Sequence, residues 1–302
     1  MIWVLLVLAY GIIKGLREVL KKKALETSST IEVLFLYTFI SFLLVTPEIR
    51  NASGLPAGTL LFIAVKSLVI FIAWMAGFTA VKNMPVGLYG LLDQSRVVFS
   101  MLLGLFILNE TMGGGQIVGL MLVLAGLIML KFTPKDKAAA PMSFNGTEES
   151  KKGSVGTGGG QTKFVILTLL SAFLNAVSGM FDKMLMSDPV LTDGALQFWY
   201  MLFLVIYYAL FIVIRRPGIR WRKALKNGWI WILAILFVIA DRLLFIANGD
   251  PASKMTVMTL IKQSCVLVTV IGGRIVFKEK HTGYRLLCAG TVIAGILISV
   301  LC

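Results

Sequence analysis

The chain alternates between long apolar runs and short polar loops. Ten of these runs approach the ~20 residues that a helix needs to cross a bilayer, and each predicts a membrane helix. The predicted spans are 2–22, 31–46, 59–81, 86–108, 114–132, 164–185, 195–214, 229–247, 254–277 and 284–301. The pattern therefore predicts an all-α polytopic membrane protein with ten transmembrane helices.

A polar stretch separates these spans into two groups of five. Residues 133–163 are rich in Gly, Ser, Lys and Glu and have too little apolar content to fold alone. We predict a flexible linker there. We therefore predict two domains, a first five-helix repeat over residues 1–132 and a second over residues 164–302.

The two groups of spans share a register of polar and small residues. The offset between corresponding positions is 169 residues. The matching pairs are Gln94 and Gln263, Ser95 and Ser264, Gly104 and Gly273, Glu110 and Glu279, and Ala125-Gly126 and Ala294-Gly295. A long period of this kind indicates a duplicated unit. Because each unit has an odd number of spans, the second enters the membrane from the opposite face, which predicts inverted repeats.

Composition agrees with a membrane protein. The 302 residues are 58% hydrophobic and 15% charged, against about 45–50% and about 25% in soluble domains. The net charge of +14 comes mostly from loops on one face, where it fits lipid headgroups rather than nucleic acid. That face should be cytoplasmic, which puts both termini outside, and we expect the cell membrane of a bacterium or archaeon.

Enzyme chemistry is not indicated. The sequence has no Walker loop and no clustered metal ligands, and its single histidine, His281, lies in a loop. We therefore expect neither an enzyme nor a metal or cofactor.

Charged residues within the spans are the best indicators of a pathway, because a charge at mid-bilayer costs at least ~2.5–3.5 kcal/mol. Lys14 lies roughly 18 Å along the first helix, near the middle of the membrane. Arg17 and Glu18 are nearer its exit. Lys14 and Glu18 could instead form a local i,i+4 pair.

The fourth span and its repeat bring together several candidates. Asp93 and Arg96 are three residues apart and could neutralise each other. Lys262, the repeat partner of Asp93, could form an ion pair with it that opens when substrate binds, or could hold an anionic group together with Arg96. A permanently closed pair that fixes packing is the alternative. Gln94 and Gln263 are predicted to line the pathway.

The eighth span carries Asp241 and Arg242, each expected to face a partner on another helix. Lys66 is expected to snorkel to the membrane surface, and Asp182 to lie at a helix exit outside the site. The predicted substrate-binding residues are Lys14, Asp93, Gln94, Arg96, Asp241, Arg242, Lys262 and Gln263. Their excess of basic residues favours an anionic or zwitterionic substrate.

Two further features predict helix contacts. Glu110 and Glu279 each precede a helix start, where a carboxylate is expected to cap the helix that follows. Gly11 and Gly15, and likewise the motif ending at Gly119, place small residues on one helix face and should allow close approach.

This combination resembles the drug/metabolite transporter superfamily, and within it the ten-helix EamA-like transporters. The residues that carry the resemblance are Pro85, Gly104, Glu110, Gly119 and Ala125-Gly126, with Pro251, Gly273, Glu279 and Ala294-Gly295. The resemblance implies secondary transport of small metabolites by alternating access. It also implies a central cavity lined mainly by the first, third and fourth helices and their counterparts. Family members generally have their amino terminus inside, whereas the charge distribution here favours outside.

We therefore expect a secondary transporter, and more specifically an exporter, of an amino acid, organic acid or phosphorylated compound. Expected partners are the substrate, membrane lipids and a coupling proton or exchanged metabolite, with the protein a monomer or homodimer. A lipid-carrier flippase of the same fold would need a cavity that opens sideways. A non-transporting chaperone or receptor would have all its buried charges tightly paired.

Overall fold

The computed structural model describes residues 2–50, 52–83, 92–93, 95–131, 159–268, 271 and 282–301. All regular secondary structure in these residues is helical, as predicted. The helices are α1 (Ile2–Thr27), α2 (Thr30–Val45), α3 (Ala57–Asn83), α4 (Ser95–Phe106), α5 (Gly114–Lys131), α6 (Gly159–Met186), α7 (Asp193–Arg215), α8 (Trp221–Leu225), α9 (Gly228–Gly249), α10 (Met255–Ile261) and α11 (Thr282–Leu301). Two 3₁₀ turns, Thr46–Arg50 and Lys262–Ser264, are also present, and residues 92–93, 265–268 and 271 are helical as well.

Several of these helices are long and apolar enough to span a membrane. Five qualify within the described residues: Thr30–Arg50, Ala57–Gly77, Thr162–Met186, Asp193–Arg215 and Gly228–Gly249. Shorter apolar helices accompany them, and α1 is 26 residues long but carries charges in its second half. The protein is therefore an integral, multi-pass membrane protein.

Two boundaries differ from the sequence prediction. Helix α6 begins at Gly159, so the end of the predicted linker is helical. Its polar first turns lie outside the apolar run, and hydropathy cannot detect them, although residues such as Gln and Lys favour helix. The predicted continuous span 254–277 instead tightens into a 3₁₀ turn at Lys262–Ser264 before helix resumes at Cys265.

Helices α5 and α11 cross at glycines and run antiparallel. A methyl group on Gly119 would lie 2.5 Å from the carbonyl oxygen of Gly295, and one on Gly126 would lie 2.9 Å from that of Cys288. The residue numbers in contact rise along α5, from Gly119 to Gly126, while they fall along α11, from Gly295 to Cys288. The two helices therefore run antiparallel. At the repeat offset Gly119 corresponds to Cys288 and Gly126 to Gly295. Each contact therefore becomes the other when the two repeats are exchanged, as in an isologous interface.

Other helices of the first half also pack against helices of the second. The extensive contacts join α3 to α6, α1 to α9, α4 to α6, α3 to α7 and α2 to α7, and a smaller contact joins α4 to α10. On α1, side chains added at Gly11 and Gly15 would collide with Ser264 and with the backbone of Cys265. The prediction of close approach at this glycine pair is confirmed.

Glu110 caps a helix of the other half. Its carboxylate oxygens accept hydrogen bonds from the backbone N–H groups of Met255 and, at 2.9 Å, Thr256, which open α10. The prediction that it caps the following helix, α5, is wrong, because the loop after α4 turns the carboxylate toward α10. Gly104 makes room for this contact, since a methyl group there would lie 2.9 Å from Thr256. Glu279 lies outside the described residues.

The crossing of α5 and α11 gives a test of the fold. Gly119→Ala should lower the melting temperature of the purified protein, with a cost of about 1–3 kcal/mol, because the added methyl group overpacks a backbone contact. Gly290→Ala on α11 is the matched control, because its methyl group meets nothing within 4 Å. That control should keep or slightly raise stability, since alanine favours helix. Equal melting temperatures for the two variants would contradict the close crossing.

Candidate functional site

Charged side chains from helices of both halves lie in one region that is buried in part. We call this group the central cluster. Its members are Lys14 and Arg17 of α1, Lys66 of α3, Asp93 and Arg96 at the start of α4, Asp182 of α6, Asp241 of α9 and Lys262 at the end of α10. Ion pairs or longer-range electrostatic interactions connect each member to others.

Helix α1 has one face for packing and another for charge. Tyr10, Lys14 and Arg17 stand at i, i+4 and i+7 and therefore share a face. Gly11 and Gly15, on the adjacent face, pack against the segment that follows α10. Close packing on one side of α1 thus fixes the charged side chains on the other.

The tightest element of the cluster is a buried ion pair. The ammonium of Lys66 lies 2.9 Å from Oδ1 of Asp182 and 3.3 Å from the centroid of the Tyr200 ring. Phe245 flanks it at 5.1 Å. Lys66 is only 1% exposed and Asp182 only 7% exposed. Both predictions for these residues are therefore wrong: Lys66 does not snorkel, and Asp182 belongs to the cluster, because α3 turns the lysine toward α6.

A second ion pair is local to the start of α4. Nη2 of Arg96 lies 3.1 Å from Oδ2 of Asp93, as the three-residue spacing predicts. In the part of the chain that the structure describes, Asp93 forms no ion pair with Lys262. Of the alternatives for Asp93, the structure shows the pair with Arg96.

The glutamine candidates are placed only in part. The side-chain amide of Gln263 is buried and donates to the carbonyl oxygen of Thr259, 3.3 Å away on its own helix. Gln94 lies outside the described residues. Ser95, which follows it, donates to the carbonyl oxygen of Leu92 at 2.6 Å. The pathway-lining role of the glutamines stays a prediction.

Arg17, Asp241 and Lys262 form no ion pair with one another within the described residues. No ion pair or hydrogen bond to a described residue holds any of the three. The guanidinium of Arg17 lies 4.4 Å from the centroid of the Phe237 ring, and the ammonium of Lys262 lies 5.8 Å from that of Tyr10. The charges acting on Asp241 are, from strongest to weakest, those of Arg17, Lys66, Asp182 and Lys262.

Arg242 belongs to a separate ion cluster. Its Nη1 donates to Oδ2 of Asp193 at 2.7 Å, and its Nη2 donates to Glu48. Both carboxylates are on other elements, as predicted for this residue. A methyl group on Gly194 would collide with Glu48 and Arg242, so glycine there permits the triad. Through its contacts with Asp193 and Glu48, Arg242 joins α9 to α7 and to the 3₁₀ turn Thr46–Arg50.

The sequence and fold match known proteins. The model of the EamA-like transporter family matches residues 1–132. The first 132 residues are therefore similar to this family. A protein of known crystal structure, 14% identical, shares the fold with a TM-score of 0.74, and the alignment covers 99% of this chain and 98% of the other. No curated protein matches the chain.

The resemblance predicted from the residues is thereby confirmed. The EamA-like family indicates a membrane transporter of the drug/metabolite type rather than an enzyme. The central cluster also lies on the helices that the resemblance implied, namely the first, third and fourth helices and their counterparts. Sequence reasoning left Lys66 and Asp182 out of the predicted site. No spacing in the sequence could have paired them, because they lie 116 positions apart and only packing brings them together.

The buried ion pair gives a stability test. Asp182→Asn should cost about 3–5 kcal/mol of unfolding free energy, because it leaves the Lys66 ammonium buried without a countercharge. Lys66→Met alone should also destabilise, by isolating the carboxylate. The double variant should lose much less unfolding free energy than the two single variants lose together. The measurement is unfolding of the purified protein in denaturing detergent, and strictly additive losses would rule out the pair as described.

Proposed function

We propose that the protein is a secondary transporter of a small polar metabolite that binds at the central cluster. The observation that carries this proposal is the convergence of charged side chains, three of them buried and the others half-buried, from helices of both halves. Ionised residues at membrane depth are costly and generally serve a substrate or ion pathway. Helices that met only for structural reasons would be expected to do so through apolar side chains.

Alternating access of two inverted repeats is the mechanism we propose. The antiparallel crossing of α5 and α11, with its exchange of equivalent positions, supports a two-fold axis in the membrane plane. The repeats would be residues 1–132 and 164–302, joined by 133–163. Rocking of one repeat against the other would expose the cluster to each side in turn. The 3₁₀ turn at Lys262 supplies a place for α10 to bend, since such turns often mark hinges.

The charge of the cluster favours an anionic or zwitterionic metabolite. It holds five cations and three carboxylates among the described side chains. A cationic drug would meet net repulsion there. Amino acids, organic acids and phosphorylated compounds remain the classes to test. We propose export as the direction, with a proton or an exchanged metabolite providing the coupling.

The two rival functions have less support. A flippase would need an apolar gap beside the charges, and an apolar groove of about 290 Å³ that the described residues of α3, α6 and α7 form is lined by none of the cluster residues. A chaperone or receptor would have every buried charge paired. Within the described residues, Arg17, Asp241 and Lys262 are not paired, which favours a site that waits for a ligand.

Reconstituted transport tests the proposal. Purified protein in liposomes should exchange labelled amino acids, organic acids or phosphorylated metabolites, and Lys262→Met should reduce the rate by about tenfold or more, equivalent to ~1.4 kcal/mol. Asp93→Asn should also slow transport, because it releases Arg96 from its ion pair. Lys223→Gln, an exposed basic residue of α8, is the control and should transport normally. Unchanged affinity and rate in both cluster variants would remove these residues from the site.

A further inference from the structure

The apolar groove on α3 is separate from the central cluster. Its floor is α3 and its walls are α6 and α7, which both pack against α3. The volume is about 290 Å³, and the lining includes Ile72, Met75 and Thr79 of α3, Leu167 and Leu170 of α6, and Phe211 of α7. Ile72 and Leu170 are 41% and 40% exposed. The groove is therefore open to whatever surrounds the protein in the bilayer.

The first part of α6 lies beside the last part of α3. Lys66 contacts Asp182, whereas Ala73, farther along α3, accepts a hydrogen bond from Ser171, which is earlier in α6. The two helices therefore run antiparallel. The apolar span of α6 begins at Thr162, so the beginning of α6 and the end of α3 lie on the same side of the membrane.

The last part of α7 lies on that side as well. Ser67 donates to the carbonyl oxygen of Tyr200 at 3.4 Å, and the ring of Phe71, farther along α3, contacts that of Phe211, farther along α7. Helices α3 and α7 therefore run in the same direction. The apolar span of α7 ends at Arg215, roughly 6 Å beyond Phe211. The groove thus lies in the layer of acyl chains just beneath the headgroups of one leaflet.

Each wall of the groove carries a basic residue one helical turn nearer that membrane surface. Lys163 precedes Leu167 by four residues, and Arg215 follows Phe211 by four, so each basic residue shares a helix face with a lining residue. Both basic side chains are exposed. An apolar lining with a cation beyond it on both walls matches an acyl chain that is joined to an anionic headgroup.

We propose that this groove binds one acyl chain of an anionic phospholipid, whose phosphate contacts Lys163 and Arg215. The apolar lining holds the chain, and the two cations select the headgroup by its charge. A volume of about 290 Å³ is at the lower limit of small-molecule pockets, which fits a single acyl chain better than a whole lipid. The bound lipid joins α3 of the first half to α6 and α7 of the second. The site requires no particular transported compound.

Two other occupants make different demands on the groove. A lipid held only by its acyl chain gains nothing from the cations at the end of the walls. A second copy of the chain, packed on this face about a two-fold axis, brings like charges from Lys163 and Arg215 of both copies to the interface, which is unfavourable. The charge of the walls therefore favours an anionic lipid over both.

Lipid binding to the purified full-length protein, measured by native mass spectrometry after delipidation, tests the site. We expect the first molecule of phosphatidylglycerol to bind about tenfold more tightly than phosphatidylcholine with the same acyl chains, because only phosphatidylglycerol has a net negative charge. Phosphatidylglycerol with a photoreactive group in its acyl chain should cross-link to peptides that contain Met75 or Leu170. Equal affinity for the two lipids, or cross-links confined to other helices, overturns the proposal. This comparison uses the wild-type protein and so does not depend on the folding of any variant.

A charge variant tests the headgroup contact. Lys163→Gln combined with Arg215→Gln should lower the affinity for phosphatidylglycerol to that for phosphatidylcholine. Arg222→Gln combined with Lys223→Gln removes two exposed charges of α8 and is the matched control, which should keep the preference. A preference that survives in the first variant, or that is lost equally in both, refutes the assignment of the two cations.

A groove variant tests the acyl-chain contact. Ile72→Trp fills the groove and should weaken the first binding step of both lipids about tenfold. Leu61→Trp, at an exposed position of α3 outside the groove lining, is the control and should bind both lipids as the wild type does. Unchanged lipid binding by Ile72→Trp contradicts the proposal. Conversion of a dimer to a monomer by Ile72→Trp, with no loss of lipid binding, identifies a second copy of the chain as the occupant instead.

Discussion

Charge neutralisation inside the membrane is the constraint on which this structure depends. An unpaired ionised group at mid-bilayer is costly, so the helices must bring opposite charges together. Lys66 and Asp182 show the outcome most directly, since both are nearly inaccessible and each is the other's countercharge. Their contact fixes α3 against α6, and Tyr200 of α7 covers it. The contact between Lys66 and Asp182 therefore both packs α3 against α6 and neutralises the two charges.

The glycines of α1 extend this logic to the other helices. Gly11 and Gly15 let the backbone of α1 approach the residues after α10 closely, which orients Tyr10, Lys14 and Arg17 toward the cluster. A larger residue at either glycine would move the whole charged face. The small residues do not contact a ligand themselves, yet the position of the charges depends on them.

Sequence patterning predicted the all-helical membrane architecture and most of the charged residues of the central cluster. Its limits have a common physical cause. Distance along a helix gives depth in the membrane, and residue spacing gives a shared face, which is why the Asp93–Arg96 pair was predictable. Neither gives the direction of that face relative to other helices. Lys66 at its depth could reach lipid headgroups or a neighbouring helix, and only the packing of α3 on α6 decides between them.

The contacts between the halves also bear on how the cluster is closed. Glu110 follows α4 and Glu48 follows α2. Glu110 holds the start of α10, and Glu48 and Asp193 hold Arg242 of α9. Both connections tie the first half to helices that carry Asp241 and Lys262. In the rocking motion that we propose, any separation of the two halves at these contacts would have to break the hydrogen bonds of these two carboxylates, which lie outside the cluster.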